Sequence, residues 1–533
     1  MTQQIGESAP LYLPIDLDFT PKKNAVPARS RRINIQALSG GLFSPGDVSK
    51  FEIPCGQGLL DPSQTVLYFR VQNMDTTGWF VDHSCASFIQ KIEVFSSSQL
   101  LETVNEFGAL HAILMDTQYS SLDRQGYQSL LLGCDASGSD LINFSRGGAF
   151  CAGGTGTPGN ATGGSVLTFA LPLMSGVVGV LLNKYLPLDM ISDLRVEITW
   201  ANNANAVISP TTTSTSVNYW RVNQVELICQ LIVLDSEVSN MINSAGRGGP
   251  IMISTEMYRN YNTVLSAAQA SDSTLLPLKF TSTKSFIAAY RLNGNQNTAN
   301  VPTISARRNP FASSGANNVA VQFLVGNTYV PQQPLRNSVE IFCEYQKAFH
   351  SLANVNNKSV MNRNTYDSSV EGSGFAYTIT ATTTGTNVIT LNTVAGLSVG
   401  APFVVSTAVG GLVAGTLYYI ISILAGGATV IVSASPNGAP LALSSTTAQT
   451  IGATSPCGLW STSPSFALGI NLDSFYQNSL TSHSGMNTQG GNVFLNATYS
   501  ANTPAGGTRL DTWCDYDAIL VIDPATKQMT VRI

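Results

Sequence analysis

Charge is what this sequence has least of. Lys, Arg, Asp and Glu make up 11% of its 533 residues, under half the roughly one-quarter usual in globular chains. Its 27 basic and 32 acidic side chains leave a net charge of −5, which excludes a protein that coats nucleic acid along its whole surface. Histidine is scarcer still. His83, His111, His350 and His483 lie far apart and none belongs to an HExxH pattern, so a zinc hydrolase of that design is excluded. The eight cysteines stand singly, without a CxxC pair or a Cys/His cluster, and are expected to be structural free thiols. Neither a GxxxxGK[ST] phosphate loop nor a dinucleotide fingerprint occurs.

Long apolar runs are missing too. The central one, residues 166–182, is broken by Pro172, Ser175, Gly176 and Gly179, and it falls short of the roughly 20 residues that span a bilayer. The first residues lack a basic stretch followed by a sustained apolar core, so the chain is expected to be made without secretion. Gly396, Ser398 and Gly400 match the GxSxG nucleophile pattern, but they stand in a charge-free region and read as turn glycines. Asp511, Asp515 and Asp517 cluster around Trp513 and Cys514 and read as a solvated strand end. Nothing here supports catalysis, a cofactor or a metal.

What the chain does have is alternation. Leu194, Val196, Ile198 and Trp200 share one face of a strand, and Arg195, Glu197 and Thr199 share the other. Further strand candidates fall at 51–54, 65–71, 88–95, 166–173 and 225–234, and again at 251–258, 276–280, 286–292, 319–325, 465–472, 492–499 and 518–522. Apolar residues at spacings of three and four predict helices over 99–118 and 336–350, each followed by a long loop, and a short helix at 236–244. The tripeptide Phe-Ala-Leu stands at 169–171 and returns at 466–468. Two β domains of one design fit this order, residues 31–245 and residues 246–371 with 461–533, joined through the linker at 246–250.

Two segments stand outside the repeat. Residues 1–30 read as an extended arm, and Lys22, Lys23, Arg29, Arg31 and Arg32 lie within it or at its end with no acid between them. Such an arm is either a solvated terminus or a contact to something acidic: an anionic surface, a minor protein or packaged nucleic acid. From residue 372 to residue 471 there is no charged residue and no histidine, and strand candidates recur at 387–391, 402–406, 417–423 and 429–433. This predicts a small packed β-sandwich, residues 372–460, inserted in a loop of the second domain.

The arrangement resembles the double jelly-roll major capsid proteins of polinton-like viruses and virophages. The resemblance rests on residues 88–116, 167–200, the second helix block and the run from 466 to 522. It implies two tandem eight-stranded jelly rolls with short helices. It further implies homotrimeric, pseudo-hexagonal capsomers tiling an icosahedral shell around double-stranded DNA, without enzyme activity. Neighbouring capsomers, penton and minor capsid proteins would be the partners. The basic arm would point inward to genome or inner membrane, and the insert, similar to immunoglobulin-like modules of viral structural proteins, would face a host surface. A β-rich adhesin or fibre protein is the alternative, and would carry a secretion signal or an array of the module.

Overall fold

The computed structural model describes residues 27–533, apart from segments 134–147, 154–163, 210–218, 236–248, 294–302, 313–317, 350–360, 362–365, 368–376, 455–464, 475–482 and 504–506 and one or two residues at a few positions between them. Strands form where side chains alternate. Leu194–Trp200 buries every second residue, while Arg195 and Glu197 pair at 3.0 Å on its wetter face.

In the first domain, four strands pair in the order Ala28–Gln36, Trp220–Leu234, Leu59–Asn73 and Val166–Pro172. A second sheet faces them, in the order Val48–Ile53, Leu194–Trp200, Ile89–Ser96 and Gln99–Asn105. Phe69 and Trp200 meet between the two sheets, ring centroids 5.2 Å apart. In the second domain, Ile251–Leu265, Thr508–Asp523, Thr283–Leu292 and Leu468–Asn471 face Ser271–Leu276, Val493–Thr498, Ala320–Val325 and Thr328–Leu335. Ranked by chain order, both domains pair first, eighth, third and sixth in one sheet and second, seventh, fourth and fifth in the other. Each is therefore an eight-stranded roll of one topology. One continuous hydrophobic core runs through both.

Several expectations change. Residues 99–105 are not helical. They form the return strand of a hairpin whose two-residue turn is Ser97-Ser98, with Ser97 at φ 54°. Glu106, at φ 50°, ends that strand, and the helix is Phe107–Gln118. The second helix is Ser338–Ala348, capped by the Asn337 side chain, which accepts from Val339 N and Glu340 N. The strand expected at 276–280 lies earlier, at Ser271–Leu276. The helix expected at 236–244 falls outside the described residues.

The insert is the small β module expected, but its strands close into a ring in place of two separate sheets. Tyr377–Thr383, Val388–Leu391, Thr429–Ser433, Leu417–Leu424, Pro402–Val405 and Ile451–Thr454 pair in that order, and the last returns to the first. Closure leaves no free sheet edge. Inside sit Tyr377, Ile379, Phe403, Ile420 and Val432, a core of the module's own.

Candidate functional site

The loops that follow the fifth strand of each roll lie at one end of the molecule, and there the rolls and the insert meet. Three short strands from three loops of the first roll, Val207–Ile208, Trp79–Val81 and Phe150–Cys151, form a small sheet over that end. The inserted barrel sits on it. Val404 and Leu417 of the barrel pack with Phe80, Ile208 and Phe150, and Gly78 N donates to Gly415 O at 3.2 Å. Pro402–Val405 is buried at every residue because both its faces are covered. Phe403 and Val405 point into the barrel core and Val404 into the first roll.

Beneath this lies a seam in which isolated charges of one roll meet those of the other. Glu106, at the turn from strand to helix, takes Arg291 Nη2 at 2.7 Å and Arg509 Nη2 at 2.6 Å. Both arginines also bind Asp511, at 2.6 and 3.0 Å. Two acids and two bases thus cancel in a buried ring. Burial works to raise the Glu106 carboxyl, but Arg291 and Arg509 outweigh it and hold it below the usual range. For Asp511, buried more deeply, desolvation prevails over the same arginines and raises it.

A second set lies at the far end of the same helix, Phe107–Gln118. Asp116 accepts from Arg307 Nη2 and stands 3.1 Å from His83 Nε2, all three buried. Asp82 receives the backbone N–H of Thr303 at 2.8 Å and Ile304 at 2.7 Å, so a loop of the second roll is tied to the first. Thr117 Oγ1 meets the Tyr345 hydroxyl, and Trp513 Nε1 donates to Asn105 O at 3.3 Å. At the other end of the seam Glu102 accepts from Ser175 Oγ and, at 2.9 Å, from Gly176 N; Thr255 Oγ1 of the second roll donates to Gly176 O at 2.6 Å. A Cβ on Gly176 would stand 2.3 Å from Glu256 O, so the close approach of the rolls requires glycine here.

With this geometry the comparisons fall into place. No family model matches the sequence, and no curated protein is similar to it. Among solved structures, the chain is similar to one in the quasi-atomic model of the PBCV-1 virus capsid, with TM-score 0.50 and 11% identity, covering 96% of this chain and 98% of that one. The chain has the double jelly-roll fold. Two further solved structures align over nearly the whole length. One is in the cryo-EM structure of the Sputnik virophage (TM-score 0.48, 11% identity, 98% of this chain and 93% of that one). The other is the mavirus major capsid protein (0.44, 10%, 98% and 95%).

In this double jelly roll the basic residues of the arm divide. Lys22 and Lys23 lie outside the described residues. Arg29, Arg31 and Arg32 sit, exposed, on the opening strand Ala28–Gln36. Ala28 pairs with Leu234, at the end of that sheet opposite the one carrying Asn73 and Trp220. The three late acids are not a solvated strand end. Asp511 is wholly buried in the ion ring, and Asp517 accepts from Ser282 Oγ at 2.6 Å and pairs with Lys284 at 3.4 Å. Six cysteines among the described residues are free thiols. Sequence reasoning passed over Glu106, Asp116, Arg291 and Arg307. Their signal was a lone charge ending an apolar run, as Asp116 ends ALHAILM and Arg291 ends FIAAY.

Proposed function

We propose that the chain is a non-enzymatic major capsid protein. Three copies form a capsomer of hexagonal outline, and the capsomers, with penton and minor proteins, tile an icosahedral shell around double-stranded DNA. The observation that carries this reading is the joining of two rolls of identical strand order into one body by a continuous core and buried ion pairs. Three such bodies approximate six-fold symmetry and meet their neighbours on six similar sides. A surface poor in charge suits the lateral contacts this requires, since interface centres are depleted in charge.

Polarity follows from the ends of the rolls. The barrel stands at one end and Ala28 at the other, which supports a barrel on the outer surface of the virion, toward a host, and an arm directed inward to genome or inner membrane. The experiment is the mass of the purified full chain in solution, with negative-stain images of the same peak. A trimer of hexagonal outline with three knobs on one face is expected. A monomer that stays unassembled at high concentration overturns the reading in favour of an adhesin.

A further inference from the structure

Because the two rolls share one pairing order, each surface of one has a counterpart on the other. In the first roll, the fifth strand Gln99–Asn105 buries residues 101–104 without alternation, and the helix Phe107–Gln118 buries every residue from Phe107 to Thr117 but His111. The second roll covers them. Their counterparts are more open: Leu335 alone of Thr328–Leu335 is buried, with Tyr329 48% exposed, and Ser338–Ala348 buries Ser338, Ile341, Tyr345, Gln346 and Ala348 but leaves Val339 75% exposed. The covering side shows the same contrast. The second roll's opening strand, Ile251–Leu265, lies against Gln99–Asn105, whereas its counterpart Ala28–Gln36 buries no residue. Among the described residues, no strand pairs with its outer side.

The chain therefore satisfies one roll-to-roll contact internally and leaves one matching half at each flank. A contact of this head-to-tail kind, made between three chains, would join six rolls in a ring. We propose that copies join by a repeat of this contact. The opening strand and the Arg221 end of the last strand in one copy pack on Thr328–Leu335 and Ser338–Ala348 of the next. The inference rests on the capsomer reading and adds to it which surfaces pair.

Charge agrees with the repeat. At the internal seam, Glu106 at the start of the helix receives Arg509. In the second roll Arg509 pairs across the sheet with Arg291, as Arg221 pairs with Gln72 in the first, so Arg221 is the counterpart of Arg509. Arg221 Nε is shut off from solvent and has no acceptor among the described residues. At the start of the second helix, Glu340 stands exposed in the first turn, with the backbone N–H of Arg336 as its internal donor. The repeat brings Arg221 of one copy to Glu340 of its neighbour.

The test uses the full chain with R221E, E340R and the two combined, and reads the trimer fraction by native mass spectrometry. Each reversal alone sets like charges together and is expected to lower trimer affinity about tenfold or more, and the double variant to recover most of it. As a second measure, a photo-crosslinking residue at Tyr329 is expected to capture the peptide carrying Ala28–Gln36 of another copy. A wild-type trimer with single variants that trimerise unchanged, a double variant no better than either, or crosslinks elsewhere overturns this pairing and leaves the capsomer standing. A wild-type chain that forms no trimer overturns both.

Discussion

Asp116 and Arg307 form an ion pair in which neither side chain has any exposure to solvent, and they belong to different rolls. A pair this deep adds little over an apolar one of the same shape, but each half alone is costly. Arg307→Ala leaves Asp116 buried beside His83 with its main counter-charge gone. It is expected to destabilise the chain by about 3–5 kcal/mol, read as a lower denaturation midpoint. Replacing both residues by leucine or methionine is expected to cost much less, and the difference between the two variants measures the uncompensated charge.

Glu102 supplies a pH dependence. Burial raises its carboxyl from 4.5 to about 7, against the bonds from Gly176 and Ser175 that favour the charged form. Between those values the folded chain holds a proton that the unfolded chain has lost. The group's contribution is therefore complete below the unfolded value and is lost as pH rises through about 7. From this group alone, the unfolding free energy is expected to fall by about 3 kcal/mol over that interval. Glu102→Gln keeps an acceptor for Gly176 N and removes the titration, so it is expected to flatten the slope and exceed the wild type in stability at pH 8.

Gly176→Ala tests the closeness of the rolls. The added methyl would stand 2.3 Å from Glu256 O and 2.7 Å from Met257 Cγ, so the seam must open to admit it. A loss of about 1–3 kcal/mol is expected from the strain, seen as a lower Tm. The same substitution at Gly41, where nothing lies within 4 Å, is the control and is expected to leave the Tm almost unchanged.

Gly78→Ala addresses the barrel. Its methyl would meet Phe150 Cζ at 2.2 Å and Gly415 O at 2.6 Å, which lie on the two sides of the contact between first roll and insert. The barrel is expected to lift from the small sheet without unfolding, because its core is separate. Hydrogen exchange is expected to quicken at Val404 and Leu417 and to stay slow at Ile379 and Ile420.

How much was legible follows the physics of each element. Strands with one wet face, such as Leu194–Trp200, announce themselves by alternation. Gln99–Asn105 does not, because the first roll's core covers one face and the second roll the other; four successive buried residues then mimic a helical stripe. The acids of Thr508–Asp523 misled for a related reason. Their partners Arg291 and Lys284 are more than two hundred residues away in sequence, and pairing at that separation leaves no local trace. The repeat was visible because both rolls keep the helix and the long connection in the same place, whereas the ring closure of the insert depends on Ile451–Thr454 returning to Tyr377–Thr383, a pairing that composition does not encode.

That return has one more effect. Tyr377 and Ala453, at the two ends of the barrel, are direct neighbours across a ladder, and on the roll side Tyr366, before the insert, and Phe466, after it, have ring centroids 5.0 Å apart. To the roll, the whole module is a tight turn. A different module whose ends lie equally close can take its place with only the seat of Phe80, Phe150 and Ile208 left to refit. The protein thus separates an exchangeable cartridge from an unchanging frame.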